Sequence, residues 1–300
     1  MKSKPGTKLL FVINPVSGPA DNPWQDIISN YFTGKSFTVD FYSLEKKPDV
    51  EKLKKYISET NPAKVIAVGG DGTVNLTASV IAGSDAALGI LPAGSANGMA
   101  KELNIPEDPS QALSIIESGD IKKCDAIRIN NKETCLHLSD IGINAQLIKY
   151  FDEGKLRGIA GYAGVVLKTL WRKRRMHLLI ADKNSFIERD ALMVVFANAS
   201  KYGTGAVINP EGKIDDGVFE VLIVKKLALS YIFKVFFKFT RFNPDHAEVF
   251  HTKNVKIKAH KPMHFQIDGE YNGKVAEVEA SILPAYVNII LPAQQNSNPD

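Results

Sequence analysis

Over the first part of the chain, short β-branched and apolar runs alternate with amphipathic stretches. Lys8 to Ile13 reads as a strand that runs into the turn sequence Asn14-Pro15-Val16-Ser17-Gly18. Trp24 to Phe32 has helical spacing, Phe37 to Tyr42 alternates as a strand does, and Val50 to Glu59 predicts an amphipathic helix. Lys64 to Val68 is a β-branched strand that stops at Gly69-Gly70-Asp71-Gly72-Thr73, with a helix expected from Val74 to Ala82. Leu88 to Leu91 is a further short strand, followed by Pro92 to Gly98 and a helix reaching about Leu103. Strands alternating with helices imply a parallel sheet, and such sheets bind ligands at the carboxyl ends of their strands. The turns at Asn14, Gly69 and Pro92 all fall at that edge.

After about Asp125 the pattern changes. Ala126 to Asn130, Thr134 to Ser139, Met176 to Ala181, Ala191 to Asn198, Val218 to Val224, Asn254 to Ala259, Met263 to Ile267 and Val287 to Leu291 read as strands. Asn, Asp, Gly and Lys clusters separate them, which predicts an antiparallel β-rich second domain. Two stretches interrupt it with helical spacing, Tyr162 to Arg174 and Leu229 to Thr240. The expected division is an α/β domain over 1–125 and a β domain over 126–283.

Composition narrows the class without naming a partner. The 300 residues carry 37 Lys plus Arg against 33 Asp plus Glu, a formal charge of +4, which does not indicate nucleic acid. Cys124 and Cys135 offer neither a disulfide framework nor metal spacing, so a reducing, cytoplasmic location is expected. The apolar run Leu9 to Ile13 is too short for a signal peptide. No stretch has the uncharged length of a membrane helix; the most apolar, Leu227 to Phe242, contains Lys234, Lys238 and Arg241.

The candidate chemistry lies in the turns. A strand that breaks into glycines before a helix brings backbone N–H groups and a positive helix end together, and the missing Cβ atoms let a phosphate approach. Asp71 within that turn calls for a metal ion or a proton transfer nearby. No Walker loop is present, because Ser29 stands where the first glycine before Gly34-Lys35-Ser36 is required. Asn14 to Gly18 and Gly94 to Gly98 are further polar, glycine-containing turns. In the second domain, Lys213-Ile214-Asp215-Asp216-Gly217 can present a carboxylate and carbonyls to a hard cation. Glu270, after Ile267-Asp268-Gly269, can serve as a general base on a hydroxyl. Taken singly, each reads first as an ordinary capped turn. The six histidines have no ligand spacing and receive no role.

Five motifs in order change that weighting: Asn14-Pro15-x-Ser17-Gly18, Gly69-Gly70-Asp71-Gly72-Thr73, Leu91-Pro92-x-Gly94-Ser95-x-Asn97, Asp215-Asp216-Gly217 and Asp268-Gly269-Glu270. Their succession resembles the diacylglycerol kinase-like lipid kinases, which include soluble bacterial diacylglycerol kinases and sphingosine kinases. The resemblance implies a two-domain α/β protein. Its N-terminal domain would be three-layered with a parallel sheet, similar to NAD kinases and phosphofructokinases. Its C-terminal domain would be a β-sandwich, with ATP between the two and the tail 284–300 returning to the first. By motif position, Asn14, Ser17, Gly18, Ser43, Gly69, Gly70, Gly72, Thr73, Asn75, Gly94 and Ser95 would contact nucleotide. Asp71 and Glu270 would be catalytic. Lys213 and Val218, through carbonyls, would hold Mg2+ with Asp216.

Two positions depart from the family pattern. Leu76 stands where an acidic residue commonly follows the asparagine, and Gly98 stands where an aspartate ends the third turn. The expectation is an ATP- and Mg2+-dependent kinase acting on a lipid hydroxyl such as diacylglycerol. A long-chain base or another lipid alcohol is the alternative acceptor, and a non-catalytic nucleotide- or lipid-binding regulator is the alternative role. Peripheral membrane association is expected from two segments. Leu229, Ile232, Phe233, Phe236, Phe237 and Phe239 oppose Lys234, Lys238 and Arg241, and a basic run, Lys168 and Arg172 to Arg175, lies near Trp171. Either segment is equally a helix face in water.

Overall fold

The computed structural model describes residues 6–18, 23–152, 175–182, 185–198, 201–202, 206–207, 212–226 and 245–293. The segments 162–174 and 229–240, which the sequence suggests as helices and membrane contacts, lie outside the described residues, as does 294–300. The chain forms two compact units, Met1–Cys124 with Ala285–Asp300, and Asp125–Pro284.

The first unit is built from β1 (Thr7–Ile13), α1 (Trp24–Phe32), β2 (Phe37–Ser43), α2 (Val50–Thr60), β3 (Lys64–Gly69), α3 (Asp71–Ile81), β4 (Ala87–Pro92), α4 (Gly98–Glu102) and α5 (Pro109–Ser118). Its strands run parallel in the order β2-β1-β3-β4. Leu9 to Val12 and Val65 to Val68 are wholly buried. That is the signature of parallel strands covered on both faces, and it explains why they read as continuous apolar runs. Ile28 and Phe32 of α1, Leu53 of α2, Ala78 and Ile81 of α3, and Leu113 and Ile116 of α5 supply the covering side chains. Each large one contributes about 1.5–3 kcal/mol on burial.

Local signals set the helix ends. Asp49 accepts from Lys52 N (3.0 Å) at the start of α2, and Asp108, with Pro109 next, accepts from Gln111 N (2.9 Å) at the start of α5. Lys64 donates to the Ile116 and Glu117 carbonyls at 2.6 and 3.1 Å, where the α5 dipole is negative. Burial pushes its pKa down.

Two corrections apply here. Helix α3 begins at Asp71, three residues before the expected Val74, because the Gly70 carbonyl accepts from both Thr73 N (3.0 Å) and Val74 N (3.1 Å). The Asp-Gly-Thr that reads as turn is therefore the first helical turn, where glycine breaks no intrahelical bond. Helix α5 was not anticipated, although Asp108-Pro109 is a helix-start signature.

The second unit takes up most of the remaining elements: β5 (Asp120–Ile129), β6 (Glu133–Cys135), β7 (Leu138–Gly142), α6 (Ile143–Asp152), β8 (Met176–Asp182), β9 (Ser185–Ala191), β10 (Met193–Ala197), β11 (Lys201–Tyr202), β12 (Ala206–Val207), β13 (Phe219–Val224), β14 (Ala247–Thr252), β15 (Asn254–Ile267) and β16 (Glu270–Leu291). Pairing is antiparallel along β14-β13-β10-β7-β15, with β15 also holding β8 and β16. Strand period sorts the residues into two cores. Val194, Phe196, Phe219, Val221 and Ile223 join Leu178, Ile257 and Ile267 in the larger one. Val195, Ala197, Leu222 and Val224 face the other way, into a smaller cluster with Leu138. The stretch expected as one strand over 134–139 is divided between β6 and β7. The two expected over 254–259 and 263–267 are one strand, β15, with a register shift between Lys258 and Met263. Helix α6 and strands β9 and β14 were not anticipated. Beyond Pro284, β16 belongs to the first unit, where Asn288 and Ile289 pair parallel with Ala87 and Leu88 of β4.

Candidate active site

Strands β1, β3 and β4 end level with one another, since Ile13 pairs with Val68 and Gly69 with Pro92. Each then turns at the carboxyl edge. Asn14 N donates to the Val68 carbonyl (3.0 Å), and the Asn14 amide reaches Thr73 Oγ1 (3.3 Å), tying the first turn to the second. Its Oδ1 accepts from Val16 N at 3.2 Å, and Ser17 N donates to the Asn14 carbonyl at 3.1 Å. Gly18, with φ 85°, ends that turn in a conformation a side chain rarely adopts. Ser43 ends β2 beside Ile13 and is exposed.

The glycines are needed for packing as well as access. A Cβ on Gly69 would lie 2.3 Å from Thr73 Oγ1, and one on Gly94 would lie 2.4 Å from the Gly70 Cα. The second and third turns therefore touch backbone to backbone. Asn97, at φ 50°, closes the third turn on itself: its Oδ1 accepts from Gly94 N and its amide donates to the Gly94 carbonyl, both at 2.9 Å. Ser95 stays exposed at the tip, while Asn75 and Leu76 are half-buried on α3. The first amides of α3, at Asp71 and Gly72, have no acceptor within the helix and carry the positive end of its dipole.

Asp71 has a definite structural task. Its Oδ2 accepts from Gly98 N and its Oδ1 from Met99 N, each at 2.9 Å, so the carboxylate pins the start of α4. Both donors are buried residues. A negative charge at the glycine turn is thus offset by two amides. Each oxygen keeps a second lone pair for another partner.

In the second unit, Glu270 is the first residue of β16 and pairs with Ile267 across a two-residue turn. Asp268 (φ 46°) and Gly269 (φ 86°) both occupy the left-handed region, as a type I′ hairpin requires. Glu270 is exposed. Asp268 is buried and accepts from Leu136 N (2.9 Å), His137 N (3.0 Å), Leu138 N (3.1 Å) and the Cys135 thiol (3.2 Å). Burial pushes its carboxyl pKa up against the pull of those amides, and burial also drives the Cys135 thiol well above its usual value. His137 sits buried in this segment.

Lys213, Asp216 and Val218 share one turn before β13. Asp216 and Lys213 are exposed, and Asp216 Oδ1 accepts from Val218 N (3.2 Å). Asp125 clamps the turn: its Oδ2 accepts from Gly217 N (2.7 Å), and its own N–H donates to the Ile214 carbonyl (2.7 Å). One carboxylate with nearby carbonyls is a donor set that fits a hard cation. Among the described residues, no cluster of three or more His, Cys, Asp or Glu side chains offers another metal site.

Sequence reasoning passed over Asp125, Asp140, Gln266 and the carboxylate of Asp268. The only signal for Asp140 and Gln266 is a polar residue inside an apolar strand run.

Two family models cover this chain almost end to end. The diacylglycerol kinase catalytic domain matches residues 8–129, and the YegS C-terminal NAD kinase beta sandwich-like domain matches residues 139–291. A Klebsiella pneumoniae protein named "Probable lipid kinase YegS-like" is 30% identical over 82% of this chain and 84% of its own length. The chain belongs to the diacylglycerol kinase-like lipid kinase family. A protein of this family from Staphylococcus saprophyticus, named diacylglycerol kinase, is 26% identical over 80% of each chain. The fold agrees. A crystal structure of a diacylglycerol kinase from Bacillus anthracis superposes with a TM-score of 0.70 at 18% identity, covering 96% of this chain and 98% of that one. An NAD kinase from Archaeoglobus fulgidus, in complex with ATP, reaches 0.53 at 11% identity, covering 94% and 93%. The family is thus a lipid kinase family, with the NAD kinase-like α/β fold and a β-sandwich.

Proposed function

We propose that this kinase transfers the γ-phosphoryl group of ATP to the hydroxyl of a lipid, with diacylglycerol as the first acceptor to test. The observation that carries the nucleotide half is the joining of three turns at one strand edge, with the α3 N-terminus among them. Backbone amides at Gly70 to Gly72 hold phosphate oxygens. Asn14, Ser17, Gly18, Ser43, Thr73, Asn75, Gly94 and Ser95 line the nucleotide, and Gly69 gives the close approach. Asp71 holds α4 and the third turn in place, and its remaining lone pairs are suited to Mg2+. Glu270 takes the proton from the acceptor hydroxyl. That oxygen bonds to the γ-phosphorus as the bond to the bridging β,γ-oxygen breaks, and ADP leaves. Such transfer depends on positioning and charge neutralisation more than on covalent chemistry. Lys213 and Val218, through carbonyls, with Asp216 would hold a Mg2+ that braces the β domain.

The acceptor and the catalytic state are tested together. Protein is incubated with γ-labelled ATP, Mg2+ and separate micelles of diacylglycerol, sphingosine or ceramide. Label in extracted diacylglycerol supports the proposal, and label in another lipid reassigns the acceptor. ATP binding with no label in any lipid replaces the enzyme with a nucleotide-binding regulator, the second reading favoured by Leu76 and Gly98.

A further inference from the structure

Glu270 is exposed at the end of a two-residue turn, a place where a side chain and its backbone ordinarily wander. Here the backbone is held from two sides by buried polar groups. On one side, the Asp268 carboxylate sits among the amides of Leu136, His137 and Leu138, while Asp268 N donates to the Leu138 carbonyl (2.9 Å). On the other side is Gln266, with no exposed surface. Its Oε1 accepts from Gly269 N (2.8 Å), the amide directly before Glu270, and its Nε2 donates to Asp140 Oδ2 (2.5 Å). Its carbonyl also accepts from Ser139 Oγ (2.6 Å).

Asp140 is itself wholly buried. Its Oδ1 accepts from Ala145 N (3.0 Å) in the first turn of α6, and its Oδ2 accepts from the Asn144 amide (2.6 Å). A continuous chain of hydrogen bonds therefore runs from the start of α6 through Asp140 and Gln266 to the Gly269 amide, one residue before Glu270. A buried carboxylate and a buried amide are expensive unless every group is satisfied. An aliphatic residue at 266 would fill the same space but take a partner from both Asp140 Oδ2 and Gly269 N. The retained cost points to a task.

Resting on the reading of Glu270 as the base, we propose that Gln266 and Asp268 are positioning residues for it: they fix the Asp268-Gly269 hairpin so that the Glu270 carboxylate is presented in one orientation. Neither touches the reacting atoms. Displacing a catalytic group by about 1 Å lowers turnover by on the order of 100-fold.

The test is a mutant cycle in the phosphoryl-transfer assay, run with the panel lipid that takes label. Gln266→Met keeps the side chain's length and removes both hydrogen bonds. It should lower kcat about 10- to 100-fold and leave KM for ATP unchanged. If Gln266 acts through Glu270, the double variant Gln266→Met/Glu270→Gln is no slower than Glu270→Gln alone. Equal slowing by Gln266→Met in both backgrounds overturns the positioning role while leaving Glu270 as the base. Near wild-type turnover of Glu270→Gln overturns the base assignment and the positioning role with it. Asp268→Asn, which keeps one acceptor oxygen, carries the same cycle if circular dichroism shows that Gln266→Met is unfolded.

Discussion

Asp71→Asn separates a structural carboxylate from a purely chemical one. In the native protein both oxygens accept from buried amides at 2.9 Å. Asparagine offers one oxygen, and its amide then opposes the remaining N–H, donor against donor. One charge-assisted bond is lost, and the Gly98 or Met99 N–H is left without an acceptor. Bonds to charged groups contribute about 1.5–3 kcal/mol, and stranding a buried donor costs about 1–3 kcal/mol. These two terms overlap, so a loss of about 2–3 kcal/mol is expected. For 300 residues that lowers Tm by roughly 3–5 °C. Because α4 comes directly after the third turn, its release also loosens Gly94 to Asn97. KM for ATP should therefore rise while kcat falls by on the order of 100-fold. The measurements are a calorimetric melt without nucleotide and steady-state kinetics. A Tm within about 1 °C of wild type, whatever the activity, refutes the pinning of α4 by Asp71.

Glu270→Gln should lower kcat by on the order of 100-fold with little change in Tm, read in the same assay. Asp216→Asn should shift the Mg2+ dependence of activity or of Tm to higher concentration; an unchanged titration counts against that site. Gly94→Ala drives a methyl to 2.4 Å from the Gly70 Cα, so nucleotide affinity should fall at least as much as stability, which calorimetric titration measures. Burial pushes the Glu117 carboxyl up, but hydrogen bonds from Lys35 (2.6 Å) and Tyr31 (2.8 Å) outweigh it and hold the group below its usual range. A carboxyl depressed in the folded state adds stability above its unfolded pKa and loses it as pH falls through the folded one. Lys35→Met should therefore flatten the acid-side decline in Tm, and an unaltered profile would remove that account. If the peripheral-membrane reading holds, liposomes containing anionic lipid should pellet more protein than neutral ones, and equal pelleting rejects it.

The first unit was the more legible, and the reason is physical. Leu9 to Val12 and Val65 to Val68 are buried on both faces, so their burden of apolar residues announces a parallel sheet without knowledge of any partner. The glycine turns were visible because no other residue fits where Gly94 meets Gly70. The start of α3 was misplaced because glycine and aspartate weigh against helix locally, while the Gly70 carbonyl is claimed by the amides of Thr73 and Val74 further along the chain. The role of Asp71 lay beyond reach, since its partners are 27 and 28 residues away and are backbone amides that any sequence supplies. Asp140 and Gln266 were hidden for the same reason. A polar residue in an apolar strand can be paired or misplaced, and only the fold tells which. Helix α6 and strand β9 were missed because short elements of mixed polarity take their stability from tertiary contacts rather than from propensity.

The contact between Gly70 and Gly94 also bears on how the sheet assembles. It forms where β3 and β4 are paired with Gly69 opposite Pro92. A slip of one residue would bring Ala93 or Ser95 to the place of Gly94, and any Cβ there meets the Gly70 Cα at 2.4 Å. Two neighbouring strands of continuous apolar residues have little else to distinguish adjacent alignments, because both faces are buried in either. The glycine pair therefore rejects the wrong alignment by steric collision. A turn proposed to admit a phosphate would at the same time be the check that its strands have been laid side by side correctly.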